Sequence, residues 1–149
     1  MAQPHDVDRA APVLAHHEID IEAPLERVWG LHTDVAGWPG WQTEITEARI
    51  DGPFEPGTWF DWTSYGFSVT STVYDLAERA RVLWGGTSGG ITGVHEWLFM
   101  DTPGGVHVTT IESFAGEPVE ADTPGMQTLL DTSLIAWLAH LKTAAESPG

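Results

Sequence analysis

Six strand-like segments follow one another in the middle of the sequence, and they limit the fold more than any other feature. They are predicted at residues 44–51, 58–64, 67–76, 81–85, 91–101 and 106–114, where β-branched and aromatic residues are frequent. The connections between them are short and rich in Gly, Pro and Ser. Short connections join antiparallel neighbours, because a parallel pair needs a long crossover. The sequence therefore predicts an antiparallel meander.

A long amphipathic helix is predicted near the C-terminus, from residue 123 to about residue 145. Its apolar residues recur at intervals of three and four, which gives one broad apolar face; they are Met126, Leu130, Leu134, Trp137, Leu138 and Leu141. Such a face needs a large surface to cover, and a twisted sheet offers one. The predicted fold class is α+β of the helix-grip type, in which a curved antiparallel sheet of about seven strands surrounds the helix and leaves an internal cavity.

Two elements and a tail precede the meander. Alternating apolar residues predict a strand over residues 13–21, and Pro24 ahead of an apolar stripe predicts a helix over residues 23–31. Residues 1–12 are polar and lack periodicity, so we expect a flexible N-terminal tail. The ligand-binding domain is then predicted over residues 13–146.

Charge and cysteine content exclude several partners and sites. Six Lys and Arg against 22 Asp and Glu give a net charge of −16, which repels phosphate backbones and anionic lipid surfaces. We therefore expect neither a nucleic-acid partner nor a membrane partner. The chain contains no cysteine, so disulfides and thiolate metal sites are excluded. Since no segment has the pattern of a signal peptide or a membrane span, a cytoplasmic location is expected.

The histidines do not form a metal-binding pattern. His16 and His17 are neighbours on a predicted strand and therefore point to opposite faces. The other histidines are scattered without the spacing of a zinc site. We expect no metal site and no cofactor.

Several short motifs occur in a fixed order along the chain. They are Ala23-Pro24 with Val28-Trp29, Asp34 with Trp38-Pro39-Gly40-Trp41, Gly57 with Phe60 and Trp62, Val73, Leu83-Trp84-Gly85, His95-Glu96-Trp97-Leu98-Phe99, and Thr110-Ile111-Glu112-Ser113-Phe114-Ala115-Gly116. In this order they resemble the polyketide cyclase/dehydrase branch of the START-like (SRPBCC) superfamily, over residues 14–145. The resemblance implies the helix-grip fold and an internal pocket for polyketides, sterols, lipids or other apolar metabolites. The superfamily contains both enzymes and carriers.

The same resemblance bears on the type of substrate. Aromatase/cyclases of this group are associated with cationic and phenolic residues in the pocket. The sequence pattern places none of the basic residues on an inward face; those weighed were Arg27, Arg49, Arg79, Arg81 and Lys142. This disfavours the cyclisation of aromatic polyketides by such chemistry.

The hairpin between the last two strands predicts a pair of ionisable side chains. If residues 102–105 form its loop, Asp101 pairs with Val106, and His95 then lies opposite Glu112. Side chains directly opposite on one face are close enough to hydrogen-bond. A carboxyl and an imidazole in an apolar cavity form a catalytic general acid–base pair in one interpretation. In the other interpretation, they form a satisfied polar contact without chemistry.

The candidate substrate-binding residues are mostly aromatic. They are Phe60, Trp62, Tyr65, Trp84, Trp97, Phe99, Met126, Leu130 and Trp137. Large aromatic side chains fill cores as well as lining pockets, so each of them has two interpretations. Tyr65 lies in a tight turn at the predicted mouth of the cavity, where its hydroxyl can reach a ligand.

Three functions are compatible with these features. The first is a cofactor-independent cyclase, dehydratase or isomerase that acts by proton transfer on an apolar polyketide-like small molecule. The second is a non-catalytic carrier for a hydrophobic metabolite or lipid, with the same pocket. The third is an accessory domain that binds another protein through an exposed patch of Trp38 and Trp41. A homodimer is also compatible with the sequence.

Overall fold

A seven-stranded antiparallel sheet forms one layer of the computed structural model, which describes residues 3–148. Its strands are β1 (Val13–Ile21), β2 (Ile45–Ile50), β3 (Trp59–Ser64), β4 (Phe67–Ala77), β5 (Arg81–Ser88), β6 (Ile91–Thr102) and β7 (Gly105–Ala115). Their order across the sheet is β1-β7-β6-β5-β4-β3-β2. Consecutive strands from β2 to β7 are therefore neighbours, and the predicted antiparallel meander is confirmed.

The helices form the second layer and close the ends of the sheet. They are α1 (Leu25–Thr33), a 3₁₀-helix (Val35–Gly40), α2 (Glu117–Ala121) and α3 (Thr123–Glu146). The short helix α2 was not predicted from the sequence. Asp122 caps α3, since its carboxylate accepts a hydrogen bond of 3.1 Å from the backbone N–H of Gly125. Within residues 3–148, no helix is long and apolar enough to cross a membrane.

Helix α3 lies across the concave face of the sheet, as the helix-grip prediction requires. The predicted apolar face is buried along most of its length. The C-terminal end is fixed by Arg27 of α1, whose Nε donates to the carbonyl of Ala145 at 2.7 Å and whose Nη2 donates to that of Ala144 at 3.0 Å. A guanidinium at this end also interacts favourably with the helix dipole.

The core beneath α3 is divided into two clusters. The larger one gathers residues of every strand together with α1, the 3₁₀-helix and the C-terminal half of α3. The smaller one joins β1, α2 and the N-terminal half of α3 around Leu130 and Leu134. The end of the domain that holds the larger cluster is thus filled by aromatic and aliphatic side chains. The end that holds the smaller cluster leaves room for a cavity.

The prediction that Trp38 belongs to an exposed protein-binding patch is wrong. This side chain is 0% exposed, and its Nε1 donates a hydrogen bond of 2.8 Å to the carbonyl of His32. Trp41 is partly buried and packs against the same core. The 3₁₀-helix turns both indoles inward, so they do not form an exposed patch.

The glycine-rich connection after residue 85 is shorter than the sequence suggested. The sequence predicted that this strand ends at residue 85, but β5 continues to Ser88 and pairs with β6 as far as Ile91. The turn itself is Gly89-Gly90, whose φ angles of 59° and 82° favour glycine. The preceding glycines are therefore part of the sheet.

The N-terminal segment is packed on the convex face of the sheet, which corrects the prediction of a flexible tail. Val7 is 4% exposed and belongs to a cluster with Leu83, Val94 and Ile111. The backbone N–H of Asp8 donates to Ser113 Oγ at 3.0 Å. The apolar side chains on this face would otherwise be exposed to water, and the segment covers them. Residues 1–2 of the predicted tail lie outside the described residues.

The packing of Val7 predicts a measurable contribution to stability. Val7→Ala should lower the free energy of unfolding by about 1 to 2 kcal/mol, because it removes buried methyl groups and leaves a void. Urea denaturation checks this, with Gln3→Ala at an exposed position of the same segment as the control. Equal stability of the two variants would show that the segment does not cover the sheet in solution.

Candidate functional site

A cavity of about 350 Å³ lies between the N-terminal half of α3 and strands β3 to β7. Its volume falls in the range typical of small-molecule sites. The cavity is lined by Trp62, Ser64, Tyr65, Phe67, Ser68, Val69, Ser71, Trp84, Gly85, Gly86, Ser88, Gly89, Ile91, Gly93, Glu112, Phe114, Met126, Leu129, Leu130, Ser133 and Trp137. Most of this wall is apolar, and its polar groups are a carboxyl, a phenol and five serine hydroxyls.

Three indoles form the boundary between the cavity and the filled end of the core. Trp62, Trp84 and Trp137 lie with their ring centroids 5.8 to 5.9 Å apart, and all three also belong to or pack against the larger core cluster. The Trp62 Nε1 donates to Ser71 Oγ at 3.1 Å. These contacts fix the indole planes, so this wall is preformed.

A glycine leaves space beside the carboxyl of the cavity. Gly86 of β5 pairs with Gly93 of β6, and both line the cavity. A Cβ atom at Gly93 would lie 3.3 Å from Glu112 Oε2 and 3.4 Å from Phe114 Cε1. The space that accommodates the Glu112 side chain therefore depends on the missing side chain at position 93.

The predicted pairing of His95 with Glu112 is confirmed by the register of β6 and β7. The His95 Nδ1 lies 3.3 Å from Glu112 Oε1, without the geometry of a hydrogen bond. The His95 Nε2 lies 2.6 Å from Thr110 Oγ1, and that hydroxyl is placed to donate to the carbonyl of Glu96 at 3.4 Å. When Thr110 donates to Glu96, the proton of His95 is on Nε2, so an Nδ1 lone pair faces Glu112.

Burial makes both members of this pair neutral near pH 7. The pKa of Glu112 is raised from 4.5 to about 8, because the apolar surroundings disfavour the carboxylate. Burial also lowers the pKa of His95 well below its usual value, and the nearby His32 adds to this effect. Glu112 is therefore mainly a carboxylic acid at pH 7, beside an uncharged imidazole.

Only one member of the pair reaches the cavity. The Glu112 side chain is 13% exposed and lines the cavity, whereas the His95 side chain is 1% exposed and is not part of the wall. His95 lies behind Glu112 and contacts the rings of Trp84 and Trp97. His95 can therefore position Glu112 by packing behind it, but a ligand in this cavity would not touch His95.

The structure divides the other predicted site residues into two groups. Those that line the cavity are Trp62, Tyr65, Trp84, Met126, Leu130 and Trp137. Phe60, Trp97 and Phe99 are buried in the larger core cluster and do not line it, which corrects their assignment to the substrate-binding wall. They share the concave face of the sheet with the cavity residues, but they lie where α1 and the 3₁₀-helix cover that face.

Several residues of the wall were not singled out from the sequence. Phe114, Ile91 and Leu129 complete its apolar surface, and the serines of β3, β4 and β5 add hydroxyls. The alternation along β6 already placed Gly93 on the face of His95, and that signal was available. The serines gave no such signal, because a serine in a strand of this pattern also fits an outward position.

His32 is a second buried histidine that the sequence did not mark. Burial lowers its pKa from 6.5 to about 3. Its Nε2 accepts a hydrogen bond of 3.4 Å from Trp84 Nε1, and its ring centroid lies 4.5 Å from that of Trp97. His32 therefore acts as an uncharged aromatic residue of the core. Within residues 3–148, no cluster of His, Asp and Glu side chains is placed to hold a metal ion.

Comparisons with known proteins bear on the family and the fold of this chain. Residues 12–146 match the model of the family described as polyketide cyclase/dehydrase and lipid transport. The chain belongs to this family. The motif resemblance is thereby confirmed for nearly the whole domain. No curated protein sequence matches this member of the polyketide cyclase/dehydrase family significantly.

Solved structures share the fold of this family member at low sequence identity. A hypothetical protein from Helicobacter pylori has a TM-score of 0.81 at 18% identity, covering 98% of this chain and 99% of its own. A START superfamily protein from Mycobacterium smegmatis has a TM-score of 0.77 at 14% identity, covering 89% and 97%. The di-domain ARO/CYC BexL of the BE-7585A biosynthetic pathway has a TM-score of 0.76 at 16% identity, covering 91% of this chain and 50% of its own. The helix-grip fold is thereby confirmed.

Glu112 makes the stability of the protein depend on pH in a defined direction. The folded state holds a proton on Glu112 up to about pH 8, whereas the unfolded chain releases it near the ordinary pKa of 4.5. The free energy of unfolding should therefore fall as the pH rises from about 4.5 to about 8, by roughly 3 to 5 kcal/mol from this group. Glu112→Gln should lack this part of the decline.

Urea denaturation at a series of pH values measures this effect. The control is Glu47→Gln, because Glu47 is exposed on β2 and its replacement should leave the wild-type profile unchanged. Parallel profiles for wild type and Glu112→Gln would show that the carboxyl is not held protonated by the fold.

Proposed function

We propose that this protein is a cofactor-independent cyclase, dehydratase or isomerase that transfers protons on an apolar, polyketide-like small molecule bound in the cavity. One observation carries the proposal. The Glu112 carboxyl lines an aromatic cavity, and burial raises its pKa to about 8. A general acid–base residue works best when its pKa lies near the working pH.

The carboxyl of Glu112 can serve both steps of a dehydration. As a carboxylate it takes a proton from the carbon beside a substrate carbonyl. It then returns that proton to the hydroxyl group on the next carbon, which leaves as water. The electron pair of the broken C–H bond forms the new C=C bond while the C–O bond breaks. Glu112 ends in its starting form, so the reaction needs no second reactant.

The surrounding residues support this chemistry by position and by exclusion of water. The indoles of Trp62, Trp84 and Trp137 give a substrate a fixed apolar surface, which reduces the entropy lost on reaching a reactive geometry. His95 packs behind Glu112, with its Nδ1 3.3 Å from Oε1, and limits how far the carboxyl can move away from the cavity. The family and the similarity to an ARO/CYC structure agree with a polyketide-like substrate.

Replacement of Glu112 tests the catalytic role. Glu112→Gln keeps the shape of the side chain but cannot take up a proton, so turnover should fall roughly a hundredfold or more. Wild-type turnover should rise with pH up to about 8, because the carboxylate is the form that accepts the proton. The assay incubates each protein with a metabolite extract of the native host and follows isomerised or dehydrated products by mass spectrometry.

The matched control is again Glu47→Gln, which should turn over at the wild-type rate. Equal turnover by Glu112→Gln and wild type would remove Glu112 from the mechanism.

A non-catalytic carrier is the second candidate, and the place of His95 favours it. Since His95 does not line the cavity, the phenol of Tyr65 is the only ionisable group besides Glu112 that the described residues contribute to the wall. A carrier would retain one compound of the extract unchanged and in a stoichiometric amount. That result, with no product formed, would favour a role in binding or transport.

The space beside Glu112 should be needed for ligand binding whether the protein is an enzyme or a carrier. Gly93→Ala places a methyl group 3.3 Å from Glu112 Oε2 and 3.4 Å from Phe114 Cε1, so these cavity side chains must shift by a few tenths of an ångström. Affinity for the neutral fluorescent probe N-phenyl-1-naphthylamine should fall about fivefold or more. Fluorescence titration measures it. Gly30→Ala is the control, since a Cβ atom there meets no atom within 4 Å. Unchanged affinity would place the ligand away from Gly93.

A further inference from the structure

All the basic side chains of the chain lie outside the cavity wall. Four are paired with carboxylates: Arg9 with Asp6 at 3.2 Å, Arg79 with Glu26 at 3.3 Å, Arg81 with Glu96 at 2.6 Å, and Lys142 with Glu146 at 2.6 Å. Arg27 binds the last carbonyls of α3, and Arg49 is exposed on β2. Within residues 3–148, the cavity therefore offers no Lys or Arg side chain to a carboxylate, phosphate or sulfonate group of a ligand.

An anionic ligand would meet unfavourable energies at two stages. The protein carries a net charge of −16, which opposes the approach of an anion. Inside the cavity, the anion would lose its hydration without gaining a counter-charge. Serine hydroxyls replace only part of that hydration.

The groups around Glu112 favour its protonated form. His95 of β6 faces it with Nδ1 at 3.3 Å. On β1, Ala15 lies opposite Glu112, and the next residue on that face, His17, is paired with Asp131 of α3 at 2.7 Å. Of the described residues that line the cavity, Tyr65 supplies the other titratable group, a phenol. Although His95 Nδ1 is close, it is not hydrogen-bonded to the carboxyl, so among the described residues the O–H of a protonated Glu112 has no acceptor.

We propose that the ligand of this cavity is uncharged and places a carbonyl oxygen against Glu112, which binds it by donating a hydrogen bond. This inference rests on the proposed function only in taking the cavity as the ligand site. It names the charge and the recognised group of the ligand. A cationic ligand is disfavoured because it would require an ionised Glu112 in surroundings that favour the acid.

Four naphthalene compounds of nearly equal shape test the proposal. They are 2-acetylnaphthalene, which carries a ketone; 2-isopropenylnaphthalene, which lacks the oxygen; 2-naphthoate, an anion; and 2-naphthamidinium, a cation. Binding to the whole chain is measured by isothermal titration calorimetry at pH 6.5. The ketone should bind about fivefold to tenfold more tightly than the alkene, and more tightly than the cation. It should bind at least about a hundredfold more tightly than the anion.

A change of pH isolates the hydrogen bond from the shape of the ligand. At pH 9.5, above the pKa of about 8, Glu112 is ionised and cannot donate, so the ketone should lose its advantage over the alkene. In Glu112→Gln the amide N–H still donates, and the advantage should persist at both pH values. In Glu112→Leu it should be absent at both. Circular dichroism and urea denaturation establish that each variant is folded.

Each other outcome overturns the inference. Tighter binding of 2-naphthoate would place a cation in the cavity, and tighter binding of 2-naphthamidinium would make Glu112 a carboxylate in the complex. Equal affinity for ketone and alkene, or no binding of any of the four, would remove the donated hydrogen bond. These results are independent of turnover: an inactive enzyme that prefers the ketone leaves the inference standing and rejects only the catalytic proposal.

Discussion

The packing of one indole from α3 against the indoles of the sheet and the 3₁₀-helix determines how the rest of the domain is arranged. The ring centroid of Trp137 lies 5.4 Å from those of Trp38 and Trp97 and 5.9 Å from that of Trp84. Rings at such distances interact favourably in tilted and edge-to-face geometries. They fix α3 across the concave face at one depth. The helix therefore closes tightly at its C-terminal half and leaves space beneath its N-terminal half.

This arrangement explains how a carboxyl can be buried beside aromatic rings. The fold places Glu112 at the edge of the open space, where the side chain keeps a small exposed fraction and touches the cavity. Desolvation there favours the acid, and the buried, uncharged ring of His95 packs behind it. The Thr110 hydroxyl links His95 to the backbone of β6. Strand pairing thus sets the orientation of the one ionisable group on which the proposed chemistry depends.

The sequence contains the information for the pairing of strands, but not for the depth of the cavity. Alternation and a short loop were enough to place His95 opposite Glu112, since a hairpin's register follows from its turn. Phe60 and Trp62 share one face of β3, yet Phe60 is in the filled core and Trp62 lines the cavity. That difference depends on where α3 crosses a curved sheet. Likewise, no local pattern revealed that Val7 covers the convex face, because this contact is entirely long-range.

The contacts that hold the fold together also set the charge of the cavity. Arg27 stabilises the end of α3 by binding its carbonyls, and Arg81 joins β5 to β6 through Glu96 on the convex face. Lys142, near the same end of the helix, donates hydrogen bonds to Glu146 and to the carbonyl of Asp20. With so few basic residues, each cation used in this way is one that cannot face a ligand. The low number of basic residues and their structural use therefore leave the described cavity wall without a Lys or Arg side chain beside its carboxyl, Glu112.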